Sequence, residues 1–196
     1  MATAPKQDRS KETHRKLIEC TMRILATKGL QATTVSQVAV EAEVSRGAAQ
    51  HHFPTRETLI KEAIEQISTE RTAVLREAMA ELTDPDDEDV LRLVFGVFGN
   101  DLFHAAVHVW SGAVSDPGLK EIILPAEARF NREIYELTAE ALHADPSDQY
   151  TRRVLTMLFD ACRGLGLSSL LLNVGEQTER GVAAFAVILK GIKRLD

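Results

Sequence analysis

The chain has 196 residues, 44% of them hydrophobic and 27% charged, and a formal net charge of −6. That length can bury a sizeable core, and the composition excludes a disordered or collagen-like polymer. The start, MATAPKQDRSKETHRK, has no apolar leader core, and no run of about 18 apolar residues occurs, so a cytoplasmic rather than secreted or membrane-spanning protein is expected. Only 11 Gly and 6 Pro interrupt it, which favours a mostly helical fold.

In chain order, Ser10 is placed to cap a helix over 11–28, with Ile18, Met22 and Leu25 on one face and Gly29 as its stop. Thr33-Thr34 starts a short helix near 35–42. Ser45 starts another near 46–52, closed by Pro54. Thr55 can cap a long helix to about Leu82, with Leu59, Ala63 and Ile67 on one side. The break Asp84-Pro85-Asp86-Asp87 precedes a helix near 87–99, whose N-terminus its acids favour. An apolar helix over 101–114 ends at the turn Asp116-Pro117-Gly118. The segment 119–143 carries Phe130, Ile134, Leu137 and Ala141 in helical register, with Pro125 either starting its regular part or kinking it. Two strongly periodic segments follow, near 148–172 and 176–195. No strand-like alternation of any length appears, so the expectation is an all-α protein of about nine helices.

Cys20 and Cys162 sit far apart in apolar-periodic segments and read as buried small hydrophobes rather than a disulfide or zinc site. Charge is unevenly spread. Residues 1–55 hold eight Lys/Arg against five acids, a balance of +3, and the remainder carries −9. A basic head on an acidic body suits a head that meets a polyanion, although a solvated basic helix face would look the same.

Helices of roughly 18, 8 and 7 residues, the last two separated by three, describe a helix-turn-helix. Ala39 is small where two helices cross, while Val38, Ala42 and Val44 can pack inward. That leaves Arg46, Gly47, Ala48, Gln50 and His51 on the outer side of the last helix, which suits the major groove. The stretch TTVSQVAVEAEVSRGAAQHHFPTRETL, residues 33–59, resembles the DNA-binding region of the tetracycline-repressor (TetR) family. Thr34, Ala39, Val44-Ser45, Gly47, His52-Phe53, Arg56 and Leu59 fall on family positions. The likeness covers roughly residues 10–60; beyond it only length and helical character agree. The sequence departs from the family at Glu43, where the turn usually has Gly, at Ala49, where a larger aliphatic is common, and at Gln50 and His51, which replace frequent tyrosines. If Glu43 needs positive φ, it costs on the order of 1 kcal/mol.

Side-chain chemistry then assigns roles. Gln50 can pair bidentately with adenine, and Arg46 with guanine or a phosphate. Thr34, Ser36, Ser45, Thr55 and Arg56 lie at or beside helix starts, where hydroxyls, free amides and a guanidinium hold phosphates. His51 can touch phosphate, and His52 packs at the domain seam. Lys6, Arg9 and Lys11 form a loose basic arm. A metal between His51 and His52 is not expected, because neighbours on a helix point about 100° apart.

The expected division is a helix-turn-helix DNA-binding domain over 1–54 and a ligand-binding and dimerisation domain over 55–196. Phe95, Phe98, Phe103, Trp110, Phe130 and Tyr135 can line an apolar cavity or fill a core. His104, His108, Asn131 and Arg163 can supply its polar contacts. The resemblance implies a small-molecule inducer there, and no cofactor. The stripe Leu155, Leu158, Cys162, Leu165, Ser169 and Leu172, with Val182, Phe185, Leu189 and Ile192, is taken as a homodimer seam. The leading expectation is a homodimeric repressor on a palindromic DNA duplex, and not an enzyme. Two alternatives remain: a helical enzyme or metal-binding protein built on the i, i+4 pair His104/His108, or a DNA binder without an inducer.

Overall fold

The computed structural model describes residues 6–195; for Lys6 and Gln7 only the backbone is described. Among these residues the chain is all-α: α1 (Lys6–Ala32), α2 (Val35–Glu41), α3 (Arg46–His52), α4 (Arg56–Glu81), α5 (Asp87–Val97), α6 (Asp101–Ala113), α7 (Pro117–Ala141), α8 (Gln149–Ser169) and α9 (Gly175–Leu189). A lone bridge pairs Ala144 with Arg194, and no strand is present among the described residues. No single helix among them is long and apolar enough to cross a membrane.

The expected helix starts are chemically visible. The Thr34 hydroxyl accepts from Gln37 N, Ser45 from Ala48 N and Asp148 from Thr151 N, each satisfying an amide that the first turn leaves open. Asp86 and Asp89 cap α5 reciprocally. Ser10, by contrast, caps nothing: α1 already runs from Lys6. Arg9 and Lys11 are therefore exposed on a helix rather than on a loose arm, and the Lys6 side chain lies outside the described residues. Gly29 breaks α1 with φ 74°. Pro125 sits inside a continuous α7.

Compactness divides the chain into two units, and not at residue 54. One holds the residues up to Ser68 together with Ala105–Glu127; the other holds Thr69–His104 and Ala128–Asp196. In the first, α1, α2 and α3 pack together over Leu17, Ile24, Leu25, Val38, Ala39, Ala49 and Phe53, all essentially closed to solvent. Gly112 of α6 lies against Leu30 and Leu119, and a Cβ at 112 would overlap Leu30 Cδ2.

In the second unit, α5 packs on α8 and α9, and α8 on α9. Its centre is aromatic. Phe98 meets Phe103 and Phe130 edge-on at 5.4 and 6.2 Å between centroids. The fully buried Arg71 guanidinium stands 3.7 Å from the Phe130 ring and within 6 Å of the other two. Gly166 of α8 presses on the Phe98 carbonyl, where no side chain fits. Val154, Leu155, Leu158, Cys162, Val182, Phe185, Leu189 and Ile192 are buried within this unit. Burial also raises the Cys162 thiol pKa, keeping it a neutral core group.

Candidate nucleic-acid interface

The first unit presents α3 outward. Arg46, Gly47, Gln50 and His51 are exposed and Ala48 half-exposed, whereas Ala49 on the opposite side is fully buried. The amphipathic split follows from sequence: Ala49 and Phe53, four apart, face the core, and Gln50 and His51 between them face out. Glu43 adopts φ 55°, so the turn does require the left-handed conformation usually given to Gly. A Cβ at Gly47 would meet nothing within 4 Å. Internal packing therefore does not require this glycine, whose cost in a helix is about 1 kcal/mol relative to Ala. It leaves open approach from outside. Thr34, Ser36, Ser45 and Thr55 are exposed around α3, and the Thr55 hydroxyl accepts from Thr58 N.

Arg56 is placed differently from expectation. It is half-buried, and its guanidinium donates through Nε to Thr33 O (2.8 Å) and through Nη2 to Leu30 O (2.7 Å). Leu30 lies in the last turn of α1, its carbonyl also accepting from Thr33 N at 3.1 Å, and Thr33 follows the helix. Arg56 thus ties the start of α4 to the chain just before α2, and two of its five N–H donors are engaged on these carbonyls.

Behind α3 lies a cluster of imidazoles. His14 of α1 sits 5.6 Å from His52 and 5.1 Å from Phe53, ring to ring, and its Nε2 is 2.7 Å from Glu62 Oε2 on α4. His51 is 5.7 Å from His52. Burial, then the charges His14 and His51 would carry, lower the His52 pKa; Glu62 opposes them. His52 packs against His14 of α1 and Phe53.

The residues expected around a ligand do not form one site. Phe95, Phe98, Phe103 and Phe130 are core, and Phe95 also packs on Phe185 at 6.3 Å. Arg163 donates to Asn131 (2.8 Å) and Asp160 (2.7 Å). His104 Nε2 lies 3.1 Å from Ser169 Oγ. His108 is exposed and faces Gly29. Tyr135 packs on Phe159; its buried hydroxyl makes no hydrogen bond, and burial raises its pKa. Trp110 borders a cleft of about 400 Å³ with Ala113, Val114, Lys120, Ile123, Leu124 and Glu127. Among the described residues, no group of three or more His, Cys, Asp or Glu is placed to hold a metal ion.

The expected dimer stripe is corrected as well. Leu155, Leu158, Cys162, Val182, Phe185, Leu189 and Ile192 are buried within the chain, and Leu165 and Ser169 are half-buried; only Leu172 is exposed. The apolar stripes are present, but α8 and α9 use theirs against α5 and each other.

A family model described as bacterial regulatory proteins of the tetR family matches residues 17–63, which span α1 to the start of α4. The HTH-type transcriptional regulator CymR of Pseudomonas putida is 31% identical over 181 residues, covering 88% of this chain and 87% of that protein. The chain belongs to the TetR family of DNA-binding transcriptional regulators. Solved structures agree in fold. A regulator from Saccharomonospora viridis in complex with choline superposes with TM-score 0.69 at 16% identity, over 94% of this chain and all of that one. The multidrug binding protein EbrR complexed with imidazole gives TM-score 0.65 at 22% identity, over 93% of this chain and 96% of that one.

Two outcomes test this geometry. Arg56→Ala removes two charge-assisted hydrogen bonds and is expected to destabilise the first unit by on the order of 2–3 kcal/mol, read by chemical denaturation; an unchanged midpoint would refute the tether. His52 has a lowered folded pKa, so below the ordinary histidine value of about 6.5 the unfolded chain binds a proton that the folded chain does not. Stability therefore falls as pH drops from about 6.5 towards the folded value, and the loss is complete below both. Unfolding curves at pH 7.5 and 5.5 should show a smaller pH dependence in His52→Gln than in the wild type.

Proposed function

We propose that the chain is a homodimeric repressor that leaves a palindromic operator when a small, mostly apolar molecule binds. The observation that carries the DNA half is α3: a capped seven-residue helix with Arg46, Gly47, Gln50 and His51 exposed over a buried Ala49. Gln50 reads adenine, Arg46 guanine or phosphate, and Thr34, Ser36, Ser45, Thr55 and His51 fix the register on the backbone. Free amides at the capped starts of α2 and α3 assist. The ligand half is supported by the regulators of like fold complexed with choline and with imidazole.

A palindrome needs two heads about 34–36 Å apart, or a multiple of that, so a second copy is required. The face available for it is the side of α8 and α9 opposite the buried stripe. Met157, Gly164 and Leu167 line it on α8, Leu171 in the turn that follows, and Ala184, Val187 and Ile188 on α9; Leu171 is 89% exposed and Val187 67%. Apolar residues so exposed at helical spacing mark an interaction surface, and a two-fold axis lets the same face meet itself.

Binding to duplexes selected from a random pool should fall steeply with salt, as counterion release demands. Gln50→Ala should change the preferred base at one position in each half-site by about 1–3 kcal/mol of discrimination. An unaltered selected sequence would remove Gln50 from the readout. Replacing Met157 and Leu171 together by Glu should give a monomer in sedimentation; a persisting dimer would place the contact elsewhere.

A further inference from the structure

The turn between α2 and α3 closes with two hydrogen bonds that wrap back over the end of α2. Val44 N donates to Ala39 O (2.9 Å) and Glu43 N to Val40 O (3.2 Å). This pairing is the helix stop in which the residue after the cap turns left-handed and is usually glycine. Ala42 is the cap here, and Glu43, at φ 55°, is the left-handed residue. A side chain at such a φ crowds its own backbone, a cost that glycine avoids. The carboxylate adds a second cost, because it stands at the negative end of the α2 dipole.

Nothing within the chain offsets either cost. Glu43 is exposed, and its carboxylate makes no hydrogen bond or ion pair among the described residues. Glu41, two residues earlier, is the contrast: its carboxylate lies 2.6 Å from Lys28 Nζ and accepts from Gln37 Nε2 at 2.7 Å. Glu43 stands two residues before the Ser45 cap and three before Arg46, on the turn that leads into α3. The N-terminal part of a recognition helix is the part that meets base edges. A Cβ at Gly47 would have nothing within 4 Å, so no side chain at that position holds this end of α3 away from a groove floor.

An ionised carboxylate only accepts hydrogen bonds. Beside a duplex it is repelled by phosphates and by the acceptor edges of guanine and thymine. Adenine offers an amine, but with the acceptor N7 beside it. Cytosine offers its N4 amine with no acceptor next to it in the major groove. We propose that Glu43 is a base-reading residue of this head, selecting cytosine through its N4 amine at a half-site position distinct from the one Gln50 reads. This rests on the reading of α3 as the recognition helix given above.

The test selects duplexes from a random pool with the full chain, Glu43→Gln and Glu43→Gly, and compares affinities for single-base variants of each selected site. The wild type should require cytosine at one position in each half-site, with other bases weaker by about fivefold or more. Glu43→Gln keeps the reach but replaces one acceptor oxygen by a donating amide. Its preference there should move to adenine, whose N6 and N7 together match a carboxamide. Glu43→Gly should lose the preference at that position alone. It should also raise the thermal midpoint, because the left-handed turn then carries no side chain. Equal preferences in the wild type and Glu43→Gln overturn the proposal. So does a uniform gain in affinity for every duplex, which makes the carboxylate a repeller of phosphate only. A midpoint that does not rise in Glu43→Gly shows an unstrained turn and likewise overturns it. A wild type that selects no sequence removes the recognition reading of α3 as well. A selected site that changes with Gln50→Ala but not with Glu43→Gln keeps that reading and removes only Glu43.

Discussion

The reading head is held in register by one forked cation. Arg56 opens α4 and reaches back to the carbonyls of Leu30 and Thr33. Those carbonyls lie between the Gly29 break in α1 and the Thr34 cap of α2. Helix ends carry carbonyls that no amide within the helix can satisfy, and a guanidinium supplies two parallel donors of fixed geometry. A lysine offers only a point charge there. The end of α1 and the start of α2 are thus both tied to the first residue of α4.

From this tether the exposed surface of α3 follows. Ala49 and Phe53 anchor the helix inward, Glu43 accepts a left-handed turn at some cost, and Gly47 is left with empty space beside it. Two local costs at neighbouring positions, neither repaid by packing within the chain, belong to a surface shaped for something outside it. The imidazoles of His14 and His52 lie behind it with the carboxylate of Glu62. Protonation of the seam and the stability of the head are therefore linked.

The second unit has another organising feature. Arg71 is a buried cation wrapped by three phenylalanine faces, and Gly166 lets α8 approach the Phe98 backbone where any side chain would collide. The phenylalanines that composition offered for a cavity are consumed in this packing. The Trp110 cleft in the other unit and the apolar outer face of α8 and α9 stay open.

Local chemistry, read in order along the chain, determined the helices, their caps and the recognition segment. Thr34, Ser45, Asp86 and Asp148 announce helix starts through hydrogen bonds made within three residues, and the 33–59 pattern is contiguous. Only tertiary structure decided what each apolar stripe and each long side chain meets. Periodicity shows that Leu155, Leu158, Cys162 and Leu189 share faces, but not whether α5 or a second copy covers them; here the chain covers them itself. The same holds for Arg56, whose charge suits a phosphate equally well until Leu30 and Thr33, 26 and 23 residues earlier, are folded against it. A contact between residues distant in sequence leaves no periodic trace, so burial and pairing at that range are properties of the fold alone.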